Sequence, residues 1–251
     1  MKQPFSKNKL NVFIATGNRD KFRRIANWLK GYEVNIIGPF DLPDKLASAT
    51  KVTDEEEKKA GDMQERAILK ANKAAASLCS RNEHMLILGQ DDTGYLPWLK
   101  QEIIDLRTPP AIVFKGKVIN EAIEQRLEAN RLGNYYAGLT DKIATTQLMQ
   151  RELSKLGVKG KPLQKFMPID WKFALAAYNC SADISARVIA TWSVRQYISN
   201  TFLPETETDD GYVIGKISMD HPLDKPGEHR EGHWKEAEPV RGLAKLLKKF
   251  S

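Results

Sequence analysis

Apolar positions along the chain fall into short runs of strand period that alternate with longer stretches of helical period. Val12, Phe13 and Ile14 have the β-branched and aromatic character of a buried strand, and in the following RDKFRRIANWL the apolar positions Phe22, Ile25, Ala26 and Leu29 recur at helical spacing. EVNIIG at 33–38 predicts a second strand, and PFDLPDKLASATKV an irregular loop. Beyond the acidic DEEEKK and Gly61, QERAILKANKAAASL sets Ala67, Ile68, Ala71, Ala74, Ala75 and Leu78 on one stripe, a helix whose small side chains permit close approach to a sheet. MLILGQDDTGYL then predicts a short buried strand that ends at two adjacent aspartates and runs into a glycine turn.

The second half is less regular. AIVFKGKVI predicts a hairpin turning at Lys115 and Gly116, followed by a helix around NEAIEQRLEANRLG, and a clearer helix is predicted over 141–156, ended by Gly157. IDWKFALAAYN and SARVIATWSVRQYIS read as two long antiparallel strands joined near NCSAD, with Val188, Ala190, Trp192 and Val194 alternating along one face. GYVIGKIS predicts a last strand, DHPLDKPGEHREGHW a loop, and VRGLAKLLKKF a terminal helix that buries Leu243, Leu246 and Leu247 and leaves Lys245, Lys248 and Lys249 in water. Strands and helices mixed in this way on a partly antiparallel sheet imply an α/β or α+β fold. No repeat, low-complexity tract or linker divides the 251 residues, so a single domain over 1–251 is expected.

Charge narrows the partners. Lys and Arg number 39 against 32 Asp and Glu, giving net +7 and a pI near 9.2, a surface that favours nucleotides, nucleic acid or an acidic membrane face. No aromatic-interleaved basic stretch or nucleic-acid motif supports the second, and no apolar run approaches a membrane span or a signal peptide, so a soluble, cytoplasmic protein is expected. Cys79 and Cys180 are far apart and outside any CxxC pair, which argues for a reducing compartment and against a disulfide framework or structural zinc. His229 and His233 have helical spacing, but Pro226, Gly227 and Gly232 oppose a helix there; with His221 they are expected as exposed loop histidines rather than zinc ligands.

Two places carry candidate chemistry. Where the first strand breaks at Ala15-Thr16-Gly17-Asn18, the first N–H groups of the following helix lack partners and favour an anion; Gly17 allows close approach, and Thr16, Asn18 and Lys21 add a hydroxyl, an amide and a mobile charge. The bland alternative is a plain turn with a solvated lysine. Asp91 and Asp92, adjacent at a strand end, oppose each other's ionisation unless a cation joins them, and magnesium, which takes one or two carboxylates with phosphate oxygens, suits such a pair. Here the alternative is an Asp-Asp-Thr-Gly surface turn. Glu57 is a further candidate ligand if DEEEKK is more than a solvated helix start, and Lys70 flanks the alanine stripe with a stem long enough to bring its ammonium to the same place.

In this order, ATGNRDK, ERAILKA and LGQDDTG resemble the inosine triphosphate pyrophosphatase family, whose pattern is Ala-Thr-x-Asn-x-x-Lys, Glu-Asn-Ala-x-x-Lys-Ala and Asp-Asp-Ser-Gly. The matching residues are Ala15, Thr16, Asn18 and Lys21; Glu65, Ala67, Lys70 and Ala71; and Asp91, Asp92, Thr93 and Gly94, with Arg66 in place of asparagine and Thr93 in place of serine. KEAEPVRGLAKLLKKF is similar to the family's C-terminal segment at Lys235, Arg241 and Gly242, and residues 96–133 look like an insertion. The resemblance implies an elongated mixed sheet flanked by helices, two lobes with a central nucleotide cleft, a homodimer, and magnesium-dependent hydrolysis of a non-standard purine triphosphate such as ITP, dITP or XTP to monophosphate and pyrophosphate. It implies that Thr16, Gly17, Asn18, Lys21, Asp91, Thr93, Lys235 and Arg241 bind substrate, that Glu57 and Asp92 hold metal, and that Asp92 and Lys70 act in catalysis; Glu56 is an alternative to Glu57.

The base-recognition half departs from the pattern. Phe-Gly-Tyr-Asp is replaced by Asp210-Gly211-Tyr212-Val213, the histidine before Arg241 is Val240, and bulkier residues replace glycines in ARVIATWSVRQYI. An altered base preference, or a nucleotide-binding protein without turnover, are the alternatives these positions raise.

Overall fold

In the computed structural model, which describes residues 5–6, 8–103, 109–121, 129–182, 184–203, 216–228 and 237–248, the opening apolar run is strand β1 (Leu10–Ile14), buried throughout. Asn18 caps helix α1 (Arg19–Trp28), which buries Ile25, and the C-cap residue Leu29 is buried after it. Strand β2 (Val34–Ile37) follows. The stretch expected to be irregular contains helix α2 (Asp44–Ala49), and the acidic run is itself helix α3 (Asp54–Lys59), opened by a reciprocal Thr53–Glu56 cap. Four acids in its first turn complement the helix dipole, so the acidic run specifies a helix start.

Helix α4 (Met63–Leu78) buries the alanine stripe and leads to strand β3 (Met85–Leu96). Both β2 and β3 lie parallel to β1, one on each side of it. Because the chain leaves β1 in one direction and crosses back over it in the other, right-handed crossovers send α1 and α4 to opposite faces. Gly89 brings α4 against β3: a Cβ there would stand 2.2 Å from the Ala67 carbonyl oxygen and 2.8 Å from the Ala71 nitrogen, both backbone atoms that cannot turn aside. Gly89→Ala is expected to lower stability by about 3 kcal/mol through this overpacking, read as a shift of the urea midpoint at unchanged slope; an unshifted midpoint would show that α4 does not seat here.

The remaining elements, in order, are β4 (Gln101–Ile103), β5 (Ile112–Phe114), β6 (Lys117–Asn120), α5 (Ala129–Ile143), α6 (Thr146–Lys155), β7 (Phe166–Asn179), β8 (Ile184–Ser199), β9 (Ser218–Met219) and α7 (Ala237–Leu247). Hydrogen bonding orders the large sheet β2-β1-β3-β7-β8-β9, with β4 on β3, and helices flank it; β5 and β6 form the hairpin expected at Lys115 and Gly116, where φ is +51° and +75°. The helix expected over 141–156 is two helices, because Thr145 stops α5 and caps α6 by accepting from the Leu148 N–H. The helix expected from Asn120 is described only from Ala129, and much of GYVIGKIS lies outside the described residues.

The chain divides into two compact units. The first comprises Met1–Asp92, Phe173–Trp192 and Glu236–Ser251. Phe13, Ile37, Ala71, Ala74, Leu78, Met85 and Ile87 form the heart of its core, and Leu243 and Leu247 of α7 are buried as expected. A disulfide joins Cys79, at the end of α4, to Cys180, just after β7, across 101 positions of sequence. This corrects the expectation of two reduced, separate thiols: sequence distance says nothing about the 5.1 Å between their Cα atoms. The second unit, Thr93–Lys172 and Ser193–Lys235, is built on Leu153, Phe166, Tyr197 and Met219. Within it the buried Glu152 accepts from Arg195 at 3.0 Å, and the same guanidinium grips Asp170 at 2.6 and 2.8 Å. His221 is half-buried here, its Nδ1 accepting from the Leu223 N–H, and is not the exposed histidine expected.

Candidate functional site

The order β2-β1-β3 makes the carboxyl end of β1, where its parallel pairing with β3 stops, a topological switch point, the place in an open α/β sheet where the loops part and leave a crevice. The pairing runs to its end there, with the Ala15 N–H bonded to the Leu88 carbonyl at 2.8 Å. From that point Thr16-Gly17-Asn18 turns into α1, and Gln90-Asp91-Asp92 continues β3. A Cβ on Gly17 would meet nothing within 4 Å, so the turn faces open space. The Asn18 side chain accepts from the Asp20 and Lys21 N–H groups at 2.8 and 3.1 Å, and the Thr16 hydroxyl accepts from the Asn18 N–H at 3.2 Å. The two polar groups expected on phosphate thus also organise the start of α1.

The aspartates do not end a strand, as expected, but sit inside one. Pleating sends successive side chains to opposite faces, so Gly89 and Asp91 meet α4 whereas Gln90 and Asp92 meet α1. Their mutual repulsion is relieved by this separation and by a cation paired with each. On the α1 face Asp92 pairs with Lys21, both side chains nearly buried, and Gln90 accepts from Arg24 at 3.1 Å. Burial pushes the Asp92 carboxyl up, but the charge and hydrogen bond of Lys21, with Arg24 and Lys70 beyond, outweigh it and hold the group below the ordinary carboxylate range.

On the α4 face one oxygen of Asp91 pairs with Arg66 and the other with Lys70 at 2.5 Å, and Lys70 also reaches Glu57 at 3.0 Å. Glu56 is occupied elsewhere: it accepts from Lys73 at 2.7 Å and from the Thr53 N–H at 2.9 Å, bonds that in that order hold its carboxyl down to about 2. Of the two acids in the run, Glu57 is therefore the one at Lys70. Lys21, Arg24, Arg66 and Lys70 stand among Glu57, Asp91 and Asp92, cations of the kind that phosphate oxygens bind.

Glu57 and Asp92, the expected metal pair, contact different lysines. Among the described residues no three His, Cys, Asp or Glu side chains gather into a metal cage. The hard carboxylate oxygens of Glu57 and Asp92 are the donor type that a magnesium bound chiefly through phosphate oxygens takes from a protein. Thr93 is buried and its hydroxyl donates to the Ile103 carbonyl at 3.0 Å. Arg241 is exposed on α7, bonded to Glu238 at 3.1 Å. Lys235, Asp210, Val213, His229 and His233 lie outside the described residues.

Sequence reasoning missed Arg24, Arg66 and Gln90. Two signals were available: Arg66 stands four residues before Lys70, the spacing of one helix face, and Gln90 stands two before Asp92, the spacing of one strand face.

Neither any family model nor any curated protein matches the sequence. Solved structures do match its fold. The Staphylococcus aureus Ham1 protein aligns over 96% of this chain and 97% of its own at 16% identity and a TM-score of 0.50. The nucleoside-triphosphatase / dITP/XTP pyrophosphatase of Mycobacterium abscessus aligns over 96% of each chain at 12% identity and a TM-score of 0.51.

Proposed function

The fold is that of the Ham1 proteins, and from that premise and the switch-point geometry we propose that this chain hydrolyses nucleoside triphosphates to monophosphate and pyrophosphate with magnesium, acting on a non-standard purine such as ITP, dITP or XTP. The observation that carries the reading is the meeting of the β1–α1 turn with Asp92 through Lys21, just beyond the point where the parallel pairing of β1 and β3 stops. The Mycobacterium abscessus neighbour is a dITP/XTP pyrophosphatase, which supports the substrate class.

In this reading Lys21 and the positive end of the α1 dipole take the phosphate chain, the first N–H groups of the helix being capped by Asn18. As Lys21 turns to phosphate, Asp92 loses the partner that lowers its pKa most, and burial makes the freed carboxylate more basic, suited to orient and deprotonate the attacking water. Lys70 offsets the charge that grows on the departing pyrophosphate. A magnesium held by Asp92 and Glu57 together with phosphate oxygens would supply further charge neutralisation and a more acidic bound water. Arg241 and Lys235 are assigned to substrate by the family resemblance alone.

The test is a panel of standard and deaminated ribo- and deoxyribonucleoside triphosphates with magnesium, scored by pyrophosphate release. Turnover of at least one deaminated purine is expected, and release from none of the panel overturns the reading. Tight binding of a triphosphate that is recovered intact after long incubation would instead establish a binding protein on the same site.

A further inference from the structure

Arg66 and Lys70 stand one turn apart on α4 and take the two oxygens of a single carboxylate, Asp91. Their surroundings differ. Arg66 and Asp91 have 7% and 8% side-chain exposure, whereas the Lys70 side chain, 17% exposed, has Glu57 as a second acceptor. A guanidinium keeps its charge at any working pH and forms a directional bond, so the buried pair is permanent. A lysine that leaves a buried carboxylate strands an uncompensated charge unless another cation stays behind. Arg66 is that cation.

We infer that Arg66 is a positioning residue for polyphosphate capture: by holding the charge of Asp91, it frees Lys70 to transfer from that carboxylate to an incoming phosphate chain. The inference rests on the proposed triphosphate chemistry of this site and assigns to Arg66 a role that neither its burial nor its ion pair alone requires. A merely structural arginine would stabilise the fold and leave anion affinity untouched once the protein is folded. A positioning arginine sets that affinity through Lys70. The two roles separate in double variants, because neutralising Asp91 removes the charge that tethers Lys70.

The experiment measures binding of inorganic tripolyphosphate to the full-length protein by calorimetry at low salt. Arg66→Met is expected to weaken binding at least about tenfold, Arg66→Lys to stay within about threefold of the unaltered protein, and Arg66→Met/Asp91→Asn to recover to within about threefold. Unchanged affinity in Arg66→Met, or a double variant as weak as Arg66→Met, overturns the inference while leaving the triphosphate reading intact. If Arg66→Met does not fold, the double variant decides, and binding more than about tenfold weaker than that of the unaltered protein overturns the inference. An unaltered protein that binds no tripolyphosphate overturns the inference, while the triphosphate reading is decided by the nucleotide panel.

Discussion

Asp92→Asn is expected to abolish pyrophosphate release, lowering kcat at least about 1,000-fold, equivalent to about 4 kcal/mol of transition-state stabilisation, with the fold retained. Asparagine keeps the shape and one acceptor oxygen but can neither carry the negative charge nor take a proton from water. Lys21, with 16% of its side chain exposed, can turn outwards, so the thermal midpoint should move by no more than a few degrees, about 1–2 kcal/mol. The acidity of the site follows the same pair. Because the folded pKa of Asp92 is depressed, the Lys21–Asp92 interaction stabilises the protein above the unfolded carboxylate range and is lost as pH falls through the lowered value. The acid limb of kcat/KM should therefore lie below the ordinary aspartate range. Full activity in Asp92→Asn would place the chemistry elsewhere; a limb at or above the ordinary range would show that Lys21 does not hold the group ionised.

Breaking the Cys79–Cys180 bond should produce the largest loss of stability. Its ends are 101 residues apart, and closing a loop of roughly 100 residues removes about 4.7 kcal/mol of unfolded-chain entropy in the chain-entropy model. That is a large share of the ~5–15 kcal/mol typical of a folded domain. Double replacement by serine, or a strong reductant, should lower the urea midpoint by an amount that the slope converts to several kcal/mol, with a steeper loss of native signal on heating. Equal midpoints with and without reductant would mean that the two thiols are not joined in the purified protein. The bond fastens the C-terminal end of the helix that carries Arg66 and Lys70, so the same experiment can follow anion affinity below the unfolding transition.

Local pattern determined much of this molecule. The strand at Val12–Ile14, the helices on the Ile25 and Ala71 stripes, the Lys115–Gly116 hairpin and the terminal helix were legible because each depends on neighbours within a turn or a pleat. The candidate site was legible in part for a similar reason: a strand that breaks into a helix sets a helix N-terminus at that point wherever the rest of the chain lies, although Thr16 and Asn18 cap the N–H groups that the sequence alone left without partners. Tertiary structure decided what those groups face. Strand pairing placed β3 beside β1 and brought Asp92 to Lys21 across 71 positions, and the pleat divided the two aspartates between helices that the pattern could not assign to faces. The acidic run was ambiguous by itself, since only contact with α4 distinguishes Glu57, at Lys70, from Glu56, at Lys73. The disulfide was invisible for the plainest reason: bonding depends on separation in space, which two cysteines a hundred residues apart acquire only when the chain has folded.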